Sequence, residues 1–154
     1  MELYLFRHGK AEPAGESGDD ARELTAQGRE DVRRTAEALA RSGVKPDAIA
    51  ASPLVRARQT AEIAGQALGL AWQTDDRLRP GATLGHVLAM LAAGQWQGIM
   101  LVGHEPDLST MVHQLTGGRV RMRTAGIARV DLERLEPGAG VLLWLASPDT
   151  LAAV

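Results

Sequence analysis

The stretch Ile99-Met100-Leu101-Val102-Gly103-His104-Glu105-Pro106 opens with an unbroken apolar run and then turns abruptly polar. A strand without a polar face is typical of a parallel sheet that helices cover on both sides. After Pro106, apolar side chains recur at helical spacing as far as the glycine pair Gly117-Gly118; they are Leu108, Met111, Val112 and Leu115. The stretch therefore predicts a buried strand that passes directly into a helix.

The same strand-then-helix unit precedes this stretch twice. Ala48 to Ala51 is a short apolar run, and Ser52-Pro53 after it predicts a helix with Ser52 as N-cap and Pro53 at its first position. That helix carries a stripe of Ala57, Ala61, Ala64 and Leu68 and ends at Gly69. Ala71 to Thr74 predicts another strand, and Thr83 predicts the cap of a helix that ends at Gly94.

The chain begins with a further strand, Leu3 to Phe6, which stops at Arg7-His8-Gly9. We assign no element to the polar segment Lys10 to Glu23, and we expect its acidic part, Glu16 to Glu23, to be mobile. Thr25 then predicts the N-cap of a helix that ends at Gly43.

The last part of the chain predicts an antiparallel hairpin. Ile127 to Leu132 and Val141 to Leu145 are strand-like, and Glu136-Pro137-Gly138 separates them. Strands that alternate with helices indicate an α/β fold of three layers, in which helices flank a mostly parallel central sheet with antiparallel strands near one edge.

Composition limits what this chain can be. Its 154 residues, 45% of them apolar, suit one hydrophobic core, so we expect a single domain over residues 1–154. A net charge of -2 with both signs dispersed does not favour nucleic acid or a membrane surface as partner. The absence of cysteine excludes a thiolate nucleophile and a thiolate metal site. Since neither a leader nor a membrane span is predicted, we expect a cytoplasmic protein.

Two histidines and two arginines follow the predicted strands where those strands end. Arg7, His8, Arg56 and His104 all lie in loops that begin at the carboxyl ends of strands, which is where α/β sheets bind ligands. Arginine forks and a helix N-terminus favour a dianionic phosphoryl group. A neutral imidazole can attack phosphorus near neutral pH. The pattern therefore predicts a phosphate pocket in which one of the two histidines can act as the nucleophile.

The sequence also resembles a known family, the histidine phosphatase superfamily, through motifs in family order. These are Leu5-Phe6-Arg7-His8-Gly9, Leu24-Thr25-Ala26-Gln27-Gly28, the segment Ser52-Pro53-Leu54-Val55-Arg56-Ala57-Arg58-Gln59-Thr60-Ala61, and Val102-Gly103-His104. The resemblance extends from Leu5 to about Val130 and is strongest to SixA-type phosphohistidine phosphatases. It implies that His8 becomes phosphorylated, that Arg7 and Arg56 bind phosphate, that His104 contacts the same phosphate, and that no metal or cofactor takes part.

The proton donor for the leaving group is not evident from the sequence. Glu105 and Asp76 are weak candidates, and Asp75 is a third carboxylate in the same region. Phosphorylated imidazole can leave as neutral imidazole and needs less help from an acid than an alkoxide does. A missing acid therefore favours a phosphohistidine-bearing protein as substrate, with inorganic phosphate as product.

Two other functions remain open at this point. One is a broad phosphomonoesterase or a mutase-like enzyme that acts on a small phosphorylated metabolite. The other is a module that binds phosphate without turnover, although such a module has no need of a nucleophilic imidazole. We expect surface or packing roles for His86 and His113. Arg119, Arg121 and Arg123 alternate along what the sequence indicates is a solvated edge that could also meet an acidic partner.

Overall fold

A computed structural model describes residues 1–152 of the chain. Its strands and helices in chain order are β1 (Glu2–Arg7), α1 (Ala26–Ser42), β2 (Ala48–Ala51), α2 (Val55–Leu68), β3 (Trp72–Thr74), α3 (Leu84–Ala93), β4 (Gly98–Gly103), α4 (Asp107–Thr116), β5 (Ile127–Leu132), β6 (Gly140–Ala146) and α5 (Pro148–Ala152). Within that range no helix is long and apolar enough to cross a bilayer.

The strands form one mixed sheet in the order β3-β2-β4-β1-β5-β6. The first four strands of that order run parallel to their neighbours, while β5 pairs antiparallel with both β1 and β6. The predicted α/β class, the mostly parallel sheet and the antiparallel hairpin at one edge are confirmed. The β3 edge is short, as a strand of three residues presents few unpaired backbone groups.

Apolar side chains fill a core on each face of the sheet, which gives the three predicted layers. Leu3 and Leu5 point into the core under α3 and α4, whereas Tyr4 and Phe6 point into the core under α1 and α2. All six residues of β4 are buried, because helices cover both of its faces. The unbroken apolar run in the sequence is the direct consequence of this central position.

Two of the three predicted N-caps, Thr25 and Thr83, are confirmed. Thr25 Oγ1 accepts a hydrogen bond from the backbone N–H of Gly28 at 2.8 Å, and Thr83 Oγ1 accepts from the backbone N–H of His86 at 3.2 Å. The His86 ring completes this capping box by accepting from the backbone N–H of Thr83. His86 therefore has a structural role at the start of α3, as expected.

The predicted start of α2 was wrong. Leu54, not Ser52, is the N-cap, and the helix begins at Val55. Leu54 keeps an extended backbone (φ −62°, ψ 142°), so the first helical turn begins only at Val55. Ser52 itself lies against the sheet, where its backbone N–H donates to the carbonyl of Val102 at 2.9 Å. Its hydroxyl accepts only a 3.3 Å bond from the N–H of Leu54. Ser52 is thereby held beside β4 rather than at the head of a helix.

Close contacts at two glycines fix α1 against the loop that follows β1. A Cβ atom on Gly28 would lie 2.1 Å from the carbonyl oxygen of Lys10, and one on Gly9 would lie 2.7 Å from a methyl group of Val32. No other residue fits at either position without displacing backbone or buried side chain. The two glycines let the first turns of α1 pack directly on the loop that carries His8.

Candidate active site

The sheet register brings the three expected loops to one level. Arg7 at the end of β1 is the partner of Gly103 at the end of β4, and Ala51 at the end of β2 is the partner of Val102. His8, Ser52 and His104 are therefore the first residues beyond three adjacent parallel strands. The structure brings all four expected residues together at this edge: Arg56 and His104 contact His8, and the charge of Arg7 acts on both imidazoles.

Hydrogen bonds orient His8. Its side chain is nearly buried, with 9% of the residue exposed, and Nδ1 lies 2.7 Å from the carbonyl oxygen of Gly9. A carbonyl only accepts, so Nδ1 carries the proton and Nε2 keeps its lone pair. Nε2 in turn accepts a 3.3 Å hydrogen bond from Nε of Arg56. The sequence could not say which nitrogen attacks, whereas this geometry points to Nε2.

Thr60 ties the nucleophile loop to the helix that carries Arg56. Its hydroxyl accepts from the backbone N–H of Gly9 at 3.1 Å and donates to the carbonyl of Arg56 at 2.8 Å. Thr60 is fully buried. It lies within one of the family-like motifs, but the sequence indicated no role for it. The sequence did offer one indication of this role, because Thr60 is a polar residue one turn after Arg56 on the buried side of α2.

His104 contacts Ser52 and is otherwise unpaired. Its Nε2 lies 2.7 Å from Ser52 Oγ, and its ring centroid is 5.1 Å from that of His8. Its Nδ1 is buried without a hydrogen-bond partner, and so is Nε of Arg7. Buried nitrogens are normally paired, because an unmade hydrogen bond costs about 1–3 kcal/mol. The unpaired nitrogens of Arg7 and His104 lie at the same edge of the sheet, which suits an anion that accepts from both.

Burial and nearby cations keep both imidazoles neutral. Desolvation lowers the pKa of His8 to about 3; the hydrogen bond to the Gly9 carbonyl opposes this shift, while His104, Arg56 and Arg7 add to it. Desolvation and Arg56 lower the pKa of His104 to about 4. Neutral imidazole is the form that can attack phosphorus, so His8 keeps its nucleophilic lone pair throughout the physiological pH range.

The two arginines are held by different partners. Arg7 donates from Nη1 to the carbonyl of Met122 at 2.8 Å, and this hydrogen bond does not use its Nε. Arg56 is buried, with 5% exposed, and it donates to the carbonyl and to the carboxylate of Asp19 at 2.9 and 3.2 Å. A carboxylate therefore occupies part of the Arg56 fork.

The segment that carries Asp19 has more structure than the sequence indicated. No element was predicted there, yet Asp19–Ala21 forms a 3₁₀ turn and Ala11 bridges to Leu24. Gln59 holds the end of the segment by accepting from the backbone N–H of Leu24 at 2.8 Å. This turn could not be predicted from local sequence, because it is held against residues of α2 that are distant in sequence.

The three candidate proton donors face other partners. Glu105 accepts from the backbone N–H and the hydroxyl of Ser109 in the first turns of α4. Asp76 is exposed and pairs with Arg79 at 3.5 Å, and Asp75 pairs with Arg77 at 2.7 Å. Asp19 is the carboxylate in contact with a phosphate-pocket residue, but its bonds to Arg22 and Arg56 lower its pKa and keep it ionised. Among residues 1–152, no three metal-ligating side chains come together.

The fold and the paired histidines and arginines define a class of α/β proteins that handle phosphoryl groups. Comparison with known proteins places the chain more closely. Residues 3–81 match the model of the histidine phosphatase superfamily (branch 1). The chain therefore belongs to this superfamily, and within it the chain is SixA-like.

Relatives and solved structures support that placement. The chain is 32% identical over 158 residues to phosphohistidine phosphatase SixA of Escherichia coli, in a match that covers 98% of this chain and 96% of the relative. It is 38% identical over 138 residues, or 82% of each chain, to an uncharacterized protein of Picosynechococcus. The structure of the protein histidine phosphatase SixA complexed with tungstate superposes with a TM-score of 0.89 at 30% identity, covering 98% of this chain and 99% of that one.

Proposed function

We propose that this protein hydrolyses phosphohistidine on a partner protein through a phosphoenzyme formed on His8. The observation that carries the proposal is the unprotonated Nε2 of His8 beside the Arg56 guanidinium. It lies in a chain that is 32% identical to a phosphohistidine phosphatase over 98% of its length. A module that only binds phosphate has no use for a nitrogen whose other ring position is fixed as a donor.

The first chemical step forms one N–P bond and breaks another. The lone pair of His8 Nε2 attacks phosphorus in line, and the bond from phosphorus to the substrate imidazole breaks with its electron pair returning to that ring. Arg56, the Nε–H of Arg7 and Nδ1–H of His104 donate to the phosphoryl oxygens as charge shifts during the transfer. Asp19 leaves the Arg56 fork when phosphate enters.

The second step returns the enzyme to its starting state. A water oxygen attacks phosphorus, the bond to His8 Nε2 breaks with its electron pair returning to the ring, and the two water protons leave on inorganic phosphate. The same donors hold the oxygens in both transition states, so one pocket serves both halves of the reaction. Loss of one such donor typically lowers kcat about a hundredfold to a thousandfold.

The carboxylates around the pocket bear on the choice of substrate. Glu105, Asp75 and Asp76 are engaged by Ser109, Arg77 and Arg79. Asp19 is held ionised by two arginines and so is a poor proton donor at neutral pH. A phosphorylated imidazole can be protonated on its other nitrogen near neutral pH and leave as a neutral ring. The alcohol of a phosphate ester has no such second site and leaves as an alkoxide unless an acid protonates it. This arrangement favours the phosphoramidate over a phosphate ester.

The test is phosphate release from two peptides of matched length and charge, one bearing phosphohistidine and one bearing phosphoserine. We expect the wild type to hydrolyse the phosphohistidine peptide and His8→Ala to be inactive, with acid-labile phosphate trapped on the wild type alone. His113→Ala, an exposed histidine on α4, is the matched control and should retain full activity.

Other outcomes would change the assignment. Equal turnover of both peptides would indicate a broad phosphomonoesterase and overturn the phosphohistidine assignment. Turnover that survives in His8→Ala would overturn the covalent mechanism. The proposal also includes a cytoplasmic setting, where phosphohistidine-bearing proteins would meet this enzyme, and cell fractionation with an antibody to the chain would test it.

A further inference from the structure

A row of three arginines lies beside the active site without an assigned role. Arg119, Arg121 and Arg123, which we call the basic rim, stand at alternate positions of the segment between α4 and β5, which forms neither helix nor strand. All three are exposed, while the intervening Met122 is buried with 1% exposed. The rim arginines thus share the solvent-facing side of this segment.

The basic rim is joined directly to the nucleophile loop. The carbonyl of Met122 accepts from Nη1 of Arg7 at 2.8 Å, and the backbone N–H of Ala125 donates to the carbonyl of His8 at 3.1 Å. Arg121 and Arg123 line an open cavity of about 380 Å³ together with Arg7. A group bound at the rim therefore lies next to the phosphate pocket.

The charges of the rim are not used within the molecule. Some arginines elsewhere, such as Arg33 and Arg77, pair with carboxylates. No rim arginine forms an ion pair with any side chain of residues 1–152. Asp31 and Asp149 also line the cavity, so its lining carries three arginines against two carboxylates. Since the whole chain has a net charge of -2, the positive charge is a local feature of this mouth.

An apolar contact adjoins the same arginines. Leu145 near the end of the edge strand β6 is 39% exposed and lines a smaller cavity of about 140 Å³ with Arg121 and Arg123. An exposed leucine beside unpaired guanidinium groups suits a protein surface better than a free small anion, because it offers apolar contact as well as charge. The rim thus has the chemistry of a site for an acidic polypeptide.

We propose that the basic rim binds acidic side chains that flank the phosphohistidine of the partner protein and so selects among phosphohistidine substrates. The inference rests on the proposed function and deepens it. Complementary charge beside the pocket speeds encounter and holds the substrate in register, while the transfer chemistry stays with His8 and its donors.

The experiment compares three substrates: free phosphohistidine, a phosphohistidine peptide with glutamates around the histidine, and the same peptide with glutamines in their place. We expect wild type to have about a tenfold higher kcat/KM for the glutamate peptide than for the glutamine peptide at low salt, with the difference shrinking as salt rises. The double variant Arg121→Glu with Arg123→Glu should lose this preference and leave the rate on free phosphohistidine unchanged.

A matched control reverses two charges at the opposite end of the sheet. Arg41 and Lys45 lie by the amino ends of the strands, so Arg41→Glu with Lys45→Glu makes the same change in net charge away from the pocket. This control should keep the preference. Equal kcat/KM for both peptides in wild type, or an equal loss of preference in the control, would overturn the proposal.

Two further measurements separate this inference from the proposed function. If the rim variant lost activity on free phosphohistidine as well, the arginines would belong to the phosphate pocket and the docking assignment would be wrong. Binding of the two peptides to His8→Ala, measured without turnover, should show the same preference for glutamate. A wild type that binds the glutamate peptide preferentially but hydrolyses none of the substrates would overturn the phosphatase and leave the acidic-peptide surface standing.

Discussion

At the scale of single residues, Ser52 bears on which nitrogen of His104 carries the proton. The ring is neutral at pH 7, because its pKa is lowered to about 4, and a neutral ring has one N–H. Ser52 Oγ lies 2.7 Å from Nε2 and already accepts from the N–H of Leu54. If the hydroxyl donates to Nε2, the ring proton is placed on Nδ1, the nitrogen without a partner. His104 then offers an N–H to the phosphoryl oxygen without being charged.

Substitution of Ser52 by Ala should therefore affect catalysis through His104. We expect kcat to fall about tenfold to a hundredfold, since a donor to the phosphoryl group is only partly available, with a smaller change in KM. Nitrogen NMR of the histidine rings should show His104 mainly as the Nδ1–H tautomer in wild type and as a mixture in Ser52→Ala. Ser42→Ala, at the far end of the sheet, is the control. An unchanged tautomer with reduced kcat would contradict this explanation.

At the scale of elements, the contact between α1 and the nucleophile loop depends on one missing side chain. Gly28 lies in the first turn of α1, where a methyl group would meet the carbonyl oxygen of Lys10 at 2.1 Å. Backbone atoms cannot yield as a flexible side chain does. Any larger residue must push α1 away from the loop that carries His8, and so the packing of this helix is linked to the geometry of the site.

Gly28→Ala should lower both stability and activity. Overpacking of a close contact typically costs about 1–3 kcal/mol, and displacement of the loop should also reduce kcat. Gly85→Ala in α3 is the matched control, because a methyl group there would meet only Thr83 Oγ1, at an ordinary contact distance of 3.7 Å. At that position alanine should be neutral or stabilise by about 0.5–1 kcal/mol through helix propensity. Denaturant unfolding and kcat of both variants decide the matter.

At the scale of the whole molecule, the buried histidines couple folding to pH. The folded pKa values of about 3 for His8 and about 4 for His104 lie below the usual value of 6.5. The unfolded chain therefore takes up protons first as pH falls. Their contribution to stability is fully present above pH 6.5 and is lost progressively as pH drops towards the folded values.

We expect the free energy of unfolding to fall between about pH 7 and pH 5, by at most about 1.4 kcal/mol per pH unit for each of these histidines. Paired carboxylates such as Asp19 and Asp75, whose pKa values are lowered, add their loss only at more acidic pH. Replacement of both His8 and His104 by Asn should flatten the curve in this window. A slope that is unchanged in the double variant would show that other groups control the acid limb.

The local parts of this structure were largely predictable. The runs at residues 3–6, 48–51 and 99–102 are strands because their side chains fill cores on both faces, and Thr25 and Thr83 cap helices through contacts three residues away. The predicted start of α2 was wrong because the Ser52 hydroxyl, which would have to cap the helix, lies 2.7 Å from Nε2 of the distant residue His104, and the backbone is still extended at Leu54. Local signals fail where a residue distant in sequence engages the same side chain.

The order of residues along the chain was enough to establish the α/β class and to place Arg7, His8 and His104 at the carboxyl ends of parallel strands. Hydrophobic periodicity and capping are properties of neighbouring residues, so they are visible in the sequence. Three features emerged only from the folded molecule: Nε2 of His8 is the nitrogen that carries no proton, Asp19 occupies the Arg56 fork, and the basic rim lies beside Arg7. These features depend on contacts between residues 37 to 115 positions apart or on the turn of a single ring, and chain folding alone brings those groups together.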